Sequence, residues 1–106
     1  MTTVVLEDFF ERNGFIVHSY ESDGIECAEI EMWTDGGVDM IINLNPLTKE
    51  EFIDYVEKYF DIDEEVKMHW EDKSYRDAFT ITQSLKDFTK YHKYIKGIAN
   101  KLKKLK

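Results

Sequence analysis

The chain predicts an α+β domain: an antiparallel sheet of three or four strands with helices packed mainly against one face, in the order α-β-β-β-α-β-α. Three observations carry that expectation. Residues 15–44 hold three runs of strand-forming residues joined by turns too short for a parallel crossover. Thr48 and Glu51 stand at capping-box spacing before an apolar run. Residues 84–105 carry apolar side chains at alternating spacings of three and four, the signature of a long amphipathic helix. With 106 residues, one proline and no low-complexity tract, residues 1–106 form a single domain.

The elements follow in order. Leu6, Phe9 and Phe10 place one apolar face on a helix over 4–13, capped by Thr2 or Thr3 and stopped by Gly14. Residues 15–20 read as a strand, Asp23-Gly24 as a hairpin turn, and 25–33 as the second strand. Thr34, Asp35, Gly36 and Gly37 return the chain into a third strand over 38–44, and Asn45-Pro46 ends the sheet. Leu47 and Phe52 flank the Thr48 cap as a hydrophobic staple, and Phe52, Val56, Tyr59 and Phe60 supply the buried face of that helix. Residues 61–65 read as an acidic connector. Val66, Met68 and Trp70 then alternate with Lys67 and His69 as a fourth, half-buried strand would. Residues 71–76 are turn-like, and 77–81 form a short helical turn or an extended link. The last helix starts near Ser84, with Asp87 completing a second capping-box pattern, and its seam is Phe88, Tyr91, Ile95, Ile98, Leu102 and Leu105.

Charge is strongly polarised. Residues 1–77 hold 21 Asp and Glu against 6 Lys and Arg, whereas residues 78–106 hold one acid against eight lysines. An acidic body repels nucleic-acid phosphate and attracts basic protein surfaces, so direct DNA binding is disfavoured. The longest apolar runs fall far short of a membrane span, and Glu7 and Asp8 sit where a signal peptide needs positive charge. A soluble, cytoplasmic protein is expected. Cys27 is the single cysteine, so no disulfide closes within the chain.

No catalytic constellation emerges, and a non-enzymatic protein without cofactor or metal is expected. His18, His69 and His92 lie on three predicted elements without metal-ligand spacing. Gly36-Gly37 precedes a strand, whereas a phosphate-binding loop opens a helix. Asp61, Asp63 and Glu65 mimic the start of a calcium loop, but the required glycine at its sixth position is Val66.

The acidic strands are the stronger signal. On residues 27–33 and 39–43 one alternate set is apolar, and the other set brings Glu29, Glu31, Trp33, Asp39 and Ile41 to a second face. Glu29, Glu31 and Asp39 form a carboxylate array there without interspersed lysines, and Asp35 adds to it from the turn. Asp61, Asp63, Glu64 and Glu65 form a second acidic patch. The seam of Tyr91, Ile95, Ile98, Leu102 and Leu105 either packs on the domain or pairs with a second copy of itself, which gives a homodimer as the alternative mode of action.

The run CAEIEMWTDGGVDMIINL, with DIDEEV and DKSYRDAFT after it, resembles small acidic proteins carried by phages and mobile elements of Gram-positive bacteria, anti-CRISPR inhibitors among them. The resemblance implies an inhibitor that binds a Cas nuclease such as Cas9, or its guide-RNA complex, and blocks DNA binding as a partial DNA mimic. The lysine-rich C-terminus departs from a pure mimic. The alternative is a dimerising structural or regulatory module of a mobile element, acting through the C-terminal helix without inhibiting a nuclease.

Overall fold

The computed structural model of the chain describes residues 2–70 and 81–105. It is an α+β fold: a helix, a three-stranded antiparallel meander whose strands neighbour one another in chain order, and a helical C-terminal half. Helix α1 (Thr3–Arg12) is capped by Thr2, whose hydroxyl accepts the Val5 N–H at 3.3 Å. Gly14 at φ +93° ends it in the left-handed region, and the Phe15 N–H donates back to the Phe10 carbonyl at 3.0 Å. Strands β1 (Ile16–Ser22) and β2 (Ile25–Trp33) turn through Asp23 and Gly24, both at positive φ as a tight hairpin requires. Strand β3 (Asp39–Leu44) pairs with β2 in a register that sets Ile42 beside Ile30 and Met40 beside Met32.

Period-two alternation then decides which side is covered. Ala28, Ile30, Met40, Ile42 and Leu44 face the helices and are buried with Leu6, Phe10, Phe15 and Phe52. The rings of Phe10, Phe15 and Phe52 meet at centroid distances of 5.0, 5.7 and 6.2 Å. The expected cap of α2 (Lys49–Asp54) is present, with the Glu51 N–H donating to the Thr48 hydroxyl at 3.3 Å, and Leu47 and Phe52 are both buried beside it.

Three expectations need correction. First, α2 continues into a π turn, Tyr55–Tyr59, in which the Phe60 N–H donates to the Tyr55 carbonyl at 2.8 Å. The wider turn shifts the helical phase: Val56 stays buried while Tyr59, expected in the core, points into solvent. Second, residues 62–70 are not a connector and a fourth strand but helix α3 (Ile62–Trp70). Asp61 starts it, since its carboxylate accepts the N–H groups of Asp63 at 2.9 Å and Glu64 at 3.4 Å. Val66 is buried, but Met68 is exposed, as helical spacing and not strand alternation demands. Third, the last helix, α4 (Ile81–Lys104), contains Ser84 as a buried interior residue, and Asp87 does not close a capping box. The expected turn over residues 71–76, and all but the last residue of the link over 77–81, lie outside the described residues.

Helix α4 packs along α2, the π turn and α3. Phe88, Tyr91, Ile95, Ile98 and Leu102 are all buried in the common core, which accounts for the three-four spacing of the seam. No helix among the described residues is long and apolar enough to cross a membrane.

Candidate functional site

Because the helices cover one face of the sheet, alternate residues of all three strands are displayed on the other, except Cys27, which is buried. The register places Glu31 between Ile16 of β1 and Ile41 of β3, Glu29 between His18 and Asn43, and Trp33 opposite Asp39. Directly opposed residues on neighbouring strands have Cβ atoms about 5 Å apart. The predicted array of Glu29, Glu31 and Asp39 therefore forms, with Trp33 and Ile41 inside it. Strand β1 adds Ile16, His18 and Tyr20, which sequence reasoning passed over, although their own alternation was the available signal.

The face combines exposed apolar surface with carboxylates. Ile16, Trp33 and Ile41 are 45, 49 and 47% exposed, and Tyr20 stands open as well. Glu29 and Asp39 are exposed. Glu31 differs: the flanking side chains leave its own side chain only 17% exposed. That desolvation, followed by the charge and hydrogen bonding of the adjacent Asp39 carboxylate, raises the Glu31 pKa above the ordinary glutamate value. The His18 imidazole, its Nε2 4.0 Å from Glu31 Oε1, pulls weakly in the opposite direction.

The turn beyond Trp33 is not free. Buried Asp87 of α4 accepts the Thr34 hydroxyl at 2.5 Å on one oxygen and the Gly36 N–H at 2.9 Å on the other. Thr34 Oγ1 in turn accepts the Val38 N–H at 3.1 Å. Asp35, expected among the open partner-binding acids, is instead ion-paired with Lys90. Thus residues 34–37 both turn the chain and fasten the hairpin to the last helix. Between them lies a recess of about 190 Å³, lined by Trp33 and Tyr94 among others, with Asp35 and Lys90 at its edge.

The second acidic patch has a local explanation. Asp61 caps α3, and Asp63, Glu64 and Glu65 fill its first turn, where the helix dipole favours negative charge. Glu65 is only partly exposed, and burial, with Asp61 nearby, lifts its pKa. These four acids stand on a helical end and not on the sheet face.

Of the two roles expected for the seam, packing on the domain is the one observed. Tyr91, Ile95, Ile98 and Leu102 are consumed by the chain's own core, and only Leu105, past the end of α4, is exposed. Several lysines of that helix are likewise engaged within the domain: Lys101 donates to Asn13 Oδ1 at 3.2 Å, and Lys103 pairs with Glu57. His69 and His92 lie against the rings of Phe88 and Phe60, at 5.3 and 4.5 Å.

No protein-family model, no curated protein and no solved structure matches this chain.

Proposed function

We propose that the chain is a non-enzymatic inhibitor that docks the open face of its sheet on a basic, nucleic-acid-binding surface of another protein, with a Cas nuclease as the target class. One observation carries the reading. Among the described residues nothing covers the face that holds Glu29, Glu31 and Asp39 amid exposed Ile16, Trp33 and Ile41. Carboxylates without neutralising lysines repel one another in the free protein, and a basic partner relieves that repulsion. Exposed aromatic and aliphatic side chains in the middle of the patch supply the short-range contact that charge alone lacks. A Cas effector offers the complementary chemistry, a positively charged channel for nucleic acid, and the resemblance of residues 27–44 to acidic mobile-element proteins points the same way. Pairing of two copies through α4 has no such support, since its seam is occupied.

The test is nuclease protection. The purified chain, mixed with Cas effector complexes before DNA is added, is expected to prevent cleavage by one of them, and added salt should weaken capture. The combined substitutions Glu29→Lys, Glu31→Lys and Asp39→Lys should abolish protection while leaving the circular-dichroism spectrum unchanged. Full protection by that variant would refute the acidic-face mechanism.

A further inference from the structure

The recess between the β2–β3 turn and α4 adjoins the docking face through Trp33, which belongs to both. We infer that this recess receives one arginine side chain of the basic partner. The inference rests on the docking reading above and names the group that the face recognises most closely.

Size comes first. About 190 Å³ is too small for most small-molecule ligands, whose pockets begin at roughly 300 Å³, but it suits one side chain. The chemistry of the walls then selects among side chains. Trp33 and Tyr94 are both half exposed and bring aromatic surface to the recess, the kind of surface on which a planar guanidinium stacks. Asp35 stands at the edge with a carboxylate that accepts two parallel N–H bonds from a guanidinium but only a point contact from an ammonium. Asp87 lies deeper in the lining and adds negative charge, although both of its oxygens already hold the turn.

Lys90 already holds the place that a cationic guest would take, so the guest must displace it. Its ammonium is paired with Asp35, and the proximity of Asp35 and Asp87 raises its pKa. The chain thus places a cation of its own at the edge of the recess. Both side chains of that pair are about 70% exposed, at 73% for Lys90 and 70% for Asp35. An exposed pair of this kind contributes little and opens readily. An incoming guanidinium can take Asp35 from Lys90 and stack on the aromatic surface of Trp33 and Tyr94.

The experiment needs no partner protein. Nα-acetylarginine amide is titrated into the 15N-labelled chain at constant ionic strength, with the citrulline, lysine and norleucine analogues as controls. Saturable shifts are expected at the Trp33 indole N–H and the Asp35 and Gly36 amides, with the arginine probe binding most tightly. Asp35→Asn and Trp33→Leu, both at exposed positions, should each remove saturation. Lys90→Ala should tighten the arginine probe by about threefold, the scale of one exposed ion pair. An equal response to citrulline, tighter binding of norleucine, or no saturable shift would overturn the assignment. The two readings fail separately. Absent titration, with partner capture still dependent on Glu29, Glu31 and Asp39, overturns the recess alone. Titration without capture by any basic partner supports the recess and removes the proposal for the whole face.

Discussion

Two sets of carboxylates act on the same hairpin under opposite conditions. At its tip, Asp87 receives donors from Thr34 and Gly36, and Asp35 holds Lys90. On its blade, Glu29, Glu31 and Asp39 crowd one another, with the His18 imidazole as the near cationic candidate. Asp87 holds the tip in place while Asp35 keeps only an exposed lysine partner, whereas the blade acids work against the fold. Acids that repel one another within their own chain are the ones whose repulsion a basic partner relieves most.

The sharpest way to break the comparison is at Asp87. Replacing it with alanine leaves the Thr34 hydroxyl and the Gly36 N–H without their acceptor in a largely buried site. Hydrogen bonds to a charged group contribute roughly 1.5–3 kcal/mol each, and unmet buried donors cost further. A loss of about 3 kcal/mol in unfolding free energy is expected for Asp87→Ala, read as a lowered urea midpoint. Thr34→Val breaks one of the same bonds, so the double variant should lose less than the two single losses together. Strict additivity would show that the clamp is not a unit.

How much of this was legible follows from the range over which each signal acts. The cap at Thr48, a first cap at Thr2 or Thr3, the Gly14 stop and the meander were readable because each is decided within a few residues. Residues 61–70 were misread because Val66, Met68 and Trp70 satisfy a strand pattern while Ile62, Val66 and His69 satisfy a helical one. The Asp61–Glu64 spacing, the same cap-to-third-residue interval as Thr48–Glu51, was the signal that should have decided for the helix. Tyr59 left the core because of a π turn, whose single extra residue changes no local propensity. The Thr34–Asp87 bond joins positions 53 residues apart, and nothing near either residue announces it. Asp87 at three residues from Ser84 even carried a plausible local explanation that proved wrong. The outer face was half legible: β2 and β3 gave its acids, but the contribution of β1 depended on pairing.

The blade acids give a prediction with a pH sign. Glu31 holds its proton in the folded protein at pH values where the unfolded chain has released it. The folded state therefore binds more protons in the window between the ordinary glutamate pKa and the raised one. Stability falls as pH rises through that window, and the full penalty remains above it. Glu65, also raised, contributes with the same sign, so the informative quantity is a difference between proteins. Urea midpoints measured from acid to neutral pH should fall less steeply for Glu31→Gln than for the parent. Parallel curves would mean that Glu31 is relieved by solvent or His18 and that the blade is not strained.

The smallest effect is expected where the tip set meets solvent. Lys90 and Asp35 are paired but exposed, so solvent screens their attraction and ordering two long side chains offsets much of it. Lys90→Ala should change unfolding free energy by no more than about 0.5 kcal/mol, measured by urea denaturation at low salt, and the difference should shrink as salt is added. The contrast with Asp87→Ala then places the boundary within the tip itself: Asp87 holds the turn, and Lys90 only accompanies it. A loss at Lys90 comparable with that at Asp87 would make the ion pair structural, and Asp35 would no longer be available to a guest cation. A near-zero loss keeps Asp35 open to exchange and extends the functional face of the hairpin from the blade around Trp33 to the recess.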